Sequence, residues 1–272
     1  MLVTALASGS SGNAYLVQAG ETRLLLDAGL PPPLLERFLR QQGVAPARLT
    51  AICLSHEHSD HVRGVGALAR RYRLPVIANE GTFMAASEAL GPLPERAVLP
   101  TGGERRSGAI TLRTFPVSHD ARDPVGFWVS ADDADACVCT DLGTPTAALE
   151  APLAAADLII LEANHDPERL QRGPYPPALK RRVAGPQGHL ANGVTAQLAL
   201  AVARDNRARA LWLAHLSATN NTPLLAFNTV TRALAQEDCW QYNVNVAMRN
   251  RPSLTWDSTT AERGLRQLRL PF

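Results

Sequence analysis

The chain carries little net charge and almost no lysine. Its 27 basic and 25 acidic side chains leave a formal charge of only +2 over 272 residues, so no global basic field indicates a nucleic-acid partner. Lys180 is the only lysine, and arginine supplies the rest of the positive charge. A GC-rich genome explains this bias as easily as phosphate binding does, and we prefer the genome.

Cysteine and long apolar runs are also scarce. The four cysteines, Cys53, Cys137, Cys139 and Cys239, form no Cys-x-x-Cys pair, so we expect buried reduced thiols rather than metal ligands. The amino terminus has no basic segment before an apolar stretch, which argues against a secretory signal. No apolar run reaches about 18 residues, so we expect no transmembrane helix and a cytoplasmic protein.

The remaining composition is that of a globular α/β protein. Hydrophobic residues make up 46% of the chain, enough for one domain with a substantial core. Short strand-like segments alternate with helical patterns, which indicates two sheets packed face to face with helices outside. Single helices are predicted near Val62–Tyr72 and Thr82–Ala89. We predict a catalytic domain over residues 1–250 and a carboxyl-terminal tail over residues 251–272.

Most of the histidines fall into one pattern. The segment Ser55-His56-Glu57-His58-Ser59-Asp60-His61 contains a His-x-His-x-Asp-His run, and it follows the strand-like segment Leu49–Leu54. His119, Asp141 and His215 stand further along, each just after a short apolar stretch. Borderline divalent metals prefer histidine and carboxylate, and this crowding exceeds what packing requires. The run therefore predicts a metal site in the turn between a strand and a helix.

This pattern resembles the metallo-β-lactamase superfamily, and within it the YycJ/WalJ group of DNA exonucleases. The resemblance covers nearly the whole chain. Besides the histidine run and Asp27, the segments that carry it are Ser8–Asn13, Val117–Asp120, Asp123–Phe127, Thr140–Gly143, Leu161–Asp166, Gly188–Leu190, Ala214–Ser217 and Asn220–Pro223. The resemblance implies a four-layer αββα sandwich of the metallo-β-lactamase fold, with metals at one edge.

Ligand chemistry and the resemblance together imply two divalent metal ions. The expected ligands are His56, His58 and His119 for one ion and Asp60, His61 and His215 for the other, with Asp141 bridging both. Two such ions lie about 3.5–4 Å apart and share a hydroxide that attacks phosphorus in line. We expect Asp60 to accept a proton from the nucleophile as well. Histidine-rich ligands suit zinc best, and an oxygen-richer second site tolerates manganese or iron.

Four other residues have predicted roles beside the metals. Asp27 follows Leu24-Leu25-Leu26 and is a candidate acceptor for the second nitrogen of a ligand histidine; a turn residue before Gly29 is the alternative. His165 and His189 are predicted to donate a proton to the leaving oxygen or to grip phosphate, with a surface or capping role as the alternative. Glu162, at the end of a buried strand, is predicted to orient His165.

The loop Gly9–Asn13 joins two predicted strands. Its glycines permit a tight turn, and Ser10, Ser11 and Asn13 are predicted to contact substrate phosphate beside the metals. A plain hairpin loop is the alternative. No Gly-Lys-Ser/Thr follows, so the loop does not match a nucleotide-binding P-loop.

Two more segments bear on nucleic acid. Residues 168–188 are rich in proline and arginine, and form either a solvated helix and loop or a basic rim that contacts a nucleic-acid backbone. The chain ends Gln267-Leu268-Arg269-Leu270-Pro271-Phe272, which resembles the short peptides that dock on the bacterial sliding clamp. The predicted clamp contacts are Gln267, Leu268, Leu270 and Phe272. The alternative is a segment that packs on its own domain.

Three functions remain open at this stage. The first, implied by the resemblance, is a metal-dependent phosphodiesterase that acts as a 5′-to-3′ exonuclease on double-stranded DNA in DNA repair. The second is a small-molecule hydrolase, such as a cyclic phosphodiesterase or a thioester or lactone hydrolase, because the same metals serve carbonyl and phosphoryl chemistry. The third is a binding protein with a weakly active site. A long groove would favour the first and a closed pocket the second.

Overall fold

Two seven-stranded sheets form the centre of the protein in the computed structural model, which describes residues 1–203 and 207–260. From edge to edge the first sheet contains β14 (Leu254–Asp257), β1 (Leu2–Ala7), β2 (Ala14–Ala19), β3 (Thr22–Leu26), β4 (Ala51–Cys53), β5 (Pro75–Ala78) and β6 (Glu95–Val98). The second contains β13 (Tyr242–Val246), β12 (Arg209–Ala214), β11 (Leu158–Glu162), β10 (Ala134–Cys139), β9 (Val125–Ala131), β8 (Ile110–Pro116) and β7 (Glu104–Ser107).

Each sheet has a parallel half and an antiparallel half. Strands β3 to β6 run parallel in the first sheet, and β10 to β13 run parallel in the second. The remaining neighbours are antiparallel. Because parallel strands end at the same edge of a sheet, each parallel half brings several loops together at that edge.

Helices cover the outer faces of both sheets. They are α1 (Pro32–Gln41), α2 (Ser59–Val62), α3 (Val65–Tyr72), α4 (Glu80–Ala85), α5 (Ser87–Leu90), α6 (Glu150–Ala155), α7 (Pro167–Arg172), α8 (Pro177–Val183), α9 (Asn192–Ala201) and α10 (Pro223–Gln236). Short 3₁₀ turns lie at Pro46–Arg48 and Ala147–Leu149. Among the described residues, none of these helices has the length and apolar character needed to cross a membrane.

Three apolar clusters define the layers. The central cluster joins the inner faces of the two sheets, for example Val3 and Tyr15 against Ile160 and Trp212. A second cluster packs α9 and α10 on the outer face of the second sheet, and a third packs α1 and α3 on the first sheet. The result is the four-layer αββα sandwich, so the predicted fold class is confirmed.

Strand β14 bears on the predicted domain boundary. Residues Leu254–Asp257 pair antiparallel with β1, and Trp256 in this strand is buried in the central cluster. The first sheet therefore extends past residue 250, where the sequence placed the end of the catalytic domain. Alternating Leu254 and Trp256 face the core, a period of two that is too short in this segment to distinguish a strand from a tail.

Candidate metal centre

The ends of the parallel strands deliver most of the predicted site residues to one place. Asp27 follows β3 and the His56–His61 segment follows β4 in the first sheet. In the second sheet Asp141 follows β10, Glu162 ends β11 and His215 follows β12. Side chains from both sheets thus converge at one edge of the sandwich, where loops can carry ligands without disturbing the core.

The backbone is unusual at three of these positions. Asp27, Asp141 and His215 have φ values of 56°, 58° and 53°, in the left-handed region that residues other than glycine rarely adopt. Such conformations persist where the surroundings enforce them, and they concentrate at functional sites. Close packing also requires Gly29, because a Cβ there would lie 1.6 Å from the Asp60 carbonyl oxygen.

His56, His58 and His119 form one ligand cluster. Their nearest ring nitrogens all lie within 4.8 Å of one another, and His58 Nδ1 is 3.2 Å from His119 Nε2. His119 donates through Nδ1 to the Gly188 carbonyl at 3.1 Å. The lone pair of its other ring nitrogen, Nε2, then faces the cluster. His56 is buried, and its Nε2 has no hydrogen-bond partner among the described residues.

Asp60, His61 and His215 form a second cluster. His61 donates through Nδ1 to Asp27 at 2.8 Å, and His215 Nδ1 lies 2.7 Å from Glu162, so carboxylates hold both rings from behind. The Nε2 atoms therefore face inward, at 3.6 Å (His61) and 3.3 Å (His215) from Asp60 Oδ2. Asp27 also accepts from the Ser55 amide and hydroxyl, so it both ends the strand and orients a histidine.

Asp141 lies between the two clusters. Its Oδ2 is 3.0 Å from His61 Nε2, and its Oδ1 is 3.7 Å from His119 Nε2 and 3.4 Å from His215 Nδ1. The residue is buried, and although Oδ2 lies close to His61 Nε2, it accepts no hydrogen bond of acceptable geometry among the described residues. Buried lone pairs on Asp141 and His56 that accept no hydrogen bond cost folding free energy unless a bound cation interacts with them. The donor set of imidazole nitrogens and carboxylate oxygens fits borderline divalent cations.

Burial and charge move the pKa values of this centre in opposite directions. Burial and the neighbouring His61 hold the pKa of His56 well below its ordinary value. For His61, burial would lower the pKa, but the carboxylates Asp141, Asp27 and Asp60 raise it well above the ordinary value. For Asp141, burial would raise the pKa, but His215 and His61 lower it strongly. The carboxylates thus stabilise positive charge in a site that water barely reaches.

Glu162 contacts His189 and His215 and not the predicted His165. Its carboxylate is buried, contacts His189 Nδ1 at 2.9 Å and His215 Nδ1 at 2.7 Å, and also accepts from the Leu142 and Leu190 amides. His165 is not among its hydrogen-bond partners, so the predicted Glu162–His165 pair is corrected. The reason lies in the register, because Glu162 pairs with Ala214 and so lies beside His215.

His189 and His165 differ sharply. His189 Nδ1 is 3.6 Å from Asp141 Oδ1, so His189 joins the metal centre as a fourth group with Asp141, Glu162 and His215. His165 is buried, its Nδ1 has no hydrogen-bond partner among the described residues, and it belongs to none of the ligand clusters found there. Its backbone instead pairs with Leu190 and Asn192. The structure thus places only one of the two predicted proton donors at the centre.

The three residues predicted to contact phosphate lie in different environments. Ser10 lines the side pocket, a cavity that opens beside the metal centre and is also lined by Asn164, Tyr175, Arg182, His189 and Asn220. The exposed Ser11 donates to Asn250 at 2.9 Å. Asn13 is fully buried, and its Nδ2 lies 3.0 Å from His61 Nε2, so it contacts a predicted ligand.

Residues 168–188 include most of helix α7 and all of helix α8, and the arginines of the predicted basic rim are exposed. They are Arg169, Arg172, Arg181 and Arg182, on or beside α7 and α8. Arg182 donates to Asp120 at 2.5 Å, next to His119. Gln267, Leu268, Leu270 and Phe272 lie outside the described residues, so clamp binding stays a prediction.

Comparison with known proteins agrees with this geometry. The family model described as the metallo-beta-lactamase superfamily matches residues 7–166. The chain belongs to the metallo-beta-lactamase superfamily. It is 36% identical over 234 residues to the exodeoxyribonuclease YycJ of Bacillus anthracis, a match that covers 85% of this chain and 88% of the relative. It is 38% identical over 237 residues to the exodeoxyribonuclease WalJ of Streptococcus pneumoniae serotype 2, with 86% and 88% covered.

A solved structure supports the superfamily fold. The metallo-beta-lactamase fold protein YhfI from Bacillus subtilis superimposes with a TM-score of 0.72 over 94% of this chain and all of that chain, at 16% identity. The predicted membership of the superfamily and of its YycJ/WalJ group is confirmed, as is the class of metal-dependent hydrolase.

Sequence reasoning missed several residues at the site of this superfamily member. Asp120, Asn164, Ser217 and Asn220 all line the side pocket. Asp120 directly follows the predicted ligand His119, and the other three lie in polar loops just after β11 and β12. A polar residue just past a strand that supplies a ligand is the signal that identifies them.

Proposed function

We propose that this protein is a metal-dependent exodeoxyribonuclease that degrades linear double-stranded DNA from the 5′ end during DNA repair. The observation that carries the proposal is the pair of ligand clusters joined by Asp141, in a chain whose matched relatives over most of its length are named exodeoxyribonucleases. Exposed arginines on α7 and α8, among them Arg182 in the wall of the side pocket, suit a phosphate backbone.

In this proposal the predicted ligands would hold two metal ions, zinc most suitably. His56, His58 and His119 would hold one ion and Asp60, His61 and His215 the other, and Asp141 would serve both. When bound, such ions lower the pKa of a water molecule and neutralise phosphate charge. Support comes from the second nitrogens of His61, His119 and His215, each of which already contacts an acceptor that fixes the ring.

The chain's own groups then move protons around the scissile bond. Asp60 is the ligand carboxylate that remains partly exposed, at 20% of its side chain, so it is the acceptor for the proton of the nucleophile. His189 lines the side pocket and is held by Glu162, which suits the donor to the leaving oxygen. His165 is buried and does not line that pocket, so we give it no contact with substrate.

Degradation of end-labelled linear duplex DNA tests the proposal. We expect purified protein with Mn²⁺ or Zn²⁺ to degrade linear DNA but not a closed circle, and the label position to give the polarity. His58→Ala should lower the rate by at least about a hundredfold, since losing a ligand exceeds the usual cost of losing its support. Glu88→Ala, an exposed change on α5, should leave the rate unchanged.

Two results would contradict the proposal. Equal cleavage of circular and linear DNA would indicate an endonuclease. Hydrolysis of bis-p-nitrophenyl phosphate without any cleavage of DNA would favour the small-molecule phosphodiesterase, since the same metal centre serves both.

Removing Asp27 should weaken the metal site that it supports from behind. In Asp27→Ala, His61 loses the acceptor 2.8 Å from Nδ1, so we expect metal affinity to fall about 10- to 100-fold. Competition with a chromophoric chelator measures this. Asp238→Ala is the matched control, because Asp238 is exposed and has a similar left-handed φ of 53°. Equal affinity in both variants would show that Asp27 is only a turn residue.

A further inference from the structure

The side pocket begins at the metal centre and extends away from it. His189 and Asp120 belong to its wall, and His189 Nδ1 is 3.6 Å from Asp141 Oδ1. The cavity has a volume of about 140 Å³ and opens to solvent. A cavity of about 150 Å³ holds one benzene ring, so the side pocket has room for the ring of a nucleobase beside the reacting phosphate but not for a whole nucleotide.

The buried side chain of Asn220 is a candidate contact for a ligand in this pocket. The residue is fully buried and lines the pocket, yet neither its amide nitrogen nor its amide oxygen has a hydrogen-bond partner among the described residues. Its backbone is fixed, since its N–H donates to Ser217 Oγ at 3.1 Å and its carbonyl accepts from Asp166 at 3.0 Å. Buried amides are almost always paired, so this donor and acceptor indicate a polar ligand.

The helical segment around α8 supplies the complementary surface. Tyr175, Leu179 and Val183 line the pocket, and the Tyr175 side chain is half-buried there. An aromatic ring with aliphatic neighbours suits the flat face of a nucleobase of any sequence. Arg182, on the same helix, also lines the pocket; its Nε donates to Asp120, and its remaining guanidinium N–H groups can face phosphate.

We propose that the side pocket receives the base of the terminal nucleotide of the DNA strand, with the sugar and phosphate at its mouth. Tyr175 stacks on the base, Asn220 hydrogen-bonds to the base or sugar, and Arg182 faces phosphate. This inference rests on the exonuclease function proposed above. It gives a physical reason why cleavage begins at a strand end. A cavity with room for about one base beside the metal centre takes the base at a strand end more readily than a base stacked within a continuous strand, because the terminal base costs less to unstack.

Titration calorimetry of the full chain with its metal tests the pocket directly. The probes are a deoxynucleoside 5′-monophosphate and inorganic phosphate, and the variants are Tyr175→Ala and Asn220→Leu. We expect each variant to weaken nucleotide binding about tenfold and phosphate binding much less, because stacking and the amide contacts serve the nucleoside. Tyr72→Ala and Asn228→Leu, half-buried positions outside the pocket, are the matched controls.

Linear-duplex degradation by the same proteins separates the possible failures. A matching loss of activity in both variants supports the pocket. Wild-type degradation with unaltered nucleotide binding in both variants overturns the pocket and leaves the exonuclease intact. Absence of wild-type degradation overturns the exonuclease and this substrate with it. Asn220 is buried, so if Asn220→Leu does not fold, Tyr175→Ala decides alone.

Discussion

Asp141→Asn should remove activity and lower the metal content of the protein. Asp141 is the carboxylate between the two clusters, with Oδ2 at 3.0 Å from His61 Nε2 and Oδ1 at 3.7 Å from His119 Nε2. An amide carries no charge and offers one oxygen, so it cannot serve both sites. We expect phosphodiesterase activity to fall roughly a thousandfold, which is about 4 kcal/mol of transition-state stabilisation.

Asp133→Asn is the matched control for this experiment. Asp133 is exposed in the β9–β10 turn and has the same left-handed φ of 58° as Asp141, so both substitutions make the same demand on the backbone. Asparagine tolerates that conformation, and neither variant should misfold for that reason. Elemental analysis for bound metal, alongside the rate, checks the cause. Full activity with one metal lost, or full metal content with no activity, would contradict a bridging role.

The metal centre was readable from sequence because its signal is local. The His56–His61 run offers four potential ligands in six residues, and no packing requirement explains that density. Asp141 and His215 carried a weaker signal, a polar residue directly after an apolar strand. Both follow parallel strands that end at the same edge of the sheet. A polar residue at the end of each such strand is therefore predicted to lie at that edge, close to the others.

Contacts between distant loops were harder to predict. Glu162 was expected to orient His165, three residues away, but the parallel register of β11 with β12 places Glu162 beside Ala214 and His215. Sequence proximity thus gave the wrong partner, since strand register is set by packing of the whole sheet. Asn13 was expected at the substrate, whereas burial against His61 places it inside the loop.

Helix boundaries show the same limit. One helix was predicted near Val62–Tyr72, but two are present, Ser59–Val62 and Val65–Tyr72. The break falls at Gly64, whose N–H donates to the Ala28 carbonyl at 2.7 Å and not along the helix. That bond ties the helix to the loop after Asp27, a tertiary contact that periodicity cannot reveal.

Replacing Glu162 should affect stability more than any other single change at the centre. In Glu162→Ala, two histidine N–H groups and the Leu142 and Leu190 amides lose a buried acceptor, which leaves them unpaired away from water. Removing one member of a buried charged network costs about 3–5 kcal/mol. At about 2–4 °C per kcal/mol, we expect the melting temperature to fall by roughly 10 °C.

Two comparisons show whether this loss comes from the network. Glu88→Ala removes an exposed glutamate on α5 and should leave the melting temperature unchanged. Glu162→Gln keeps the shape but sets an NH₂ group against buried donors, so it should also destabilise, with less lost packing than alanine. A change of less than about 2 °C in both Glu162 variants would mean that water replaces the carboxylate. His189 and His215 would then be held mainly by packing, and orientation by Glu162 would no longer account for the second cluster.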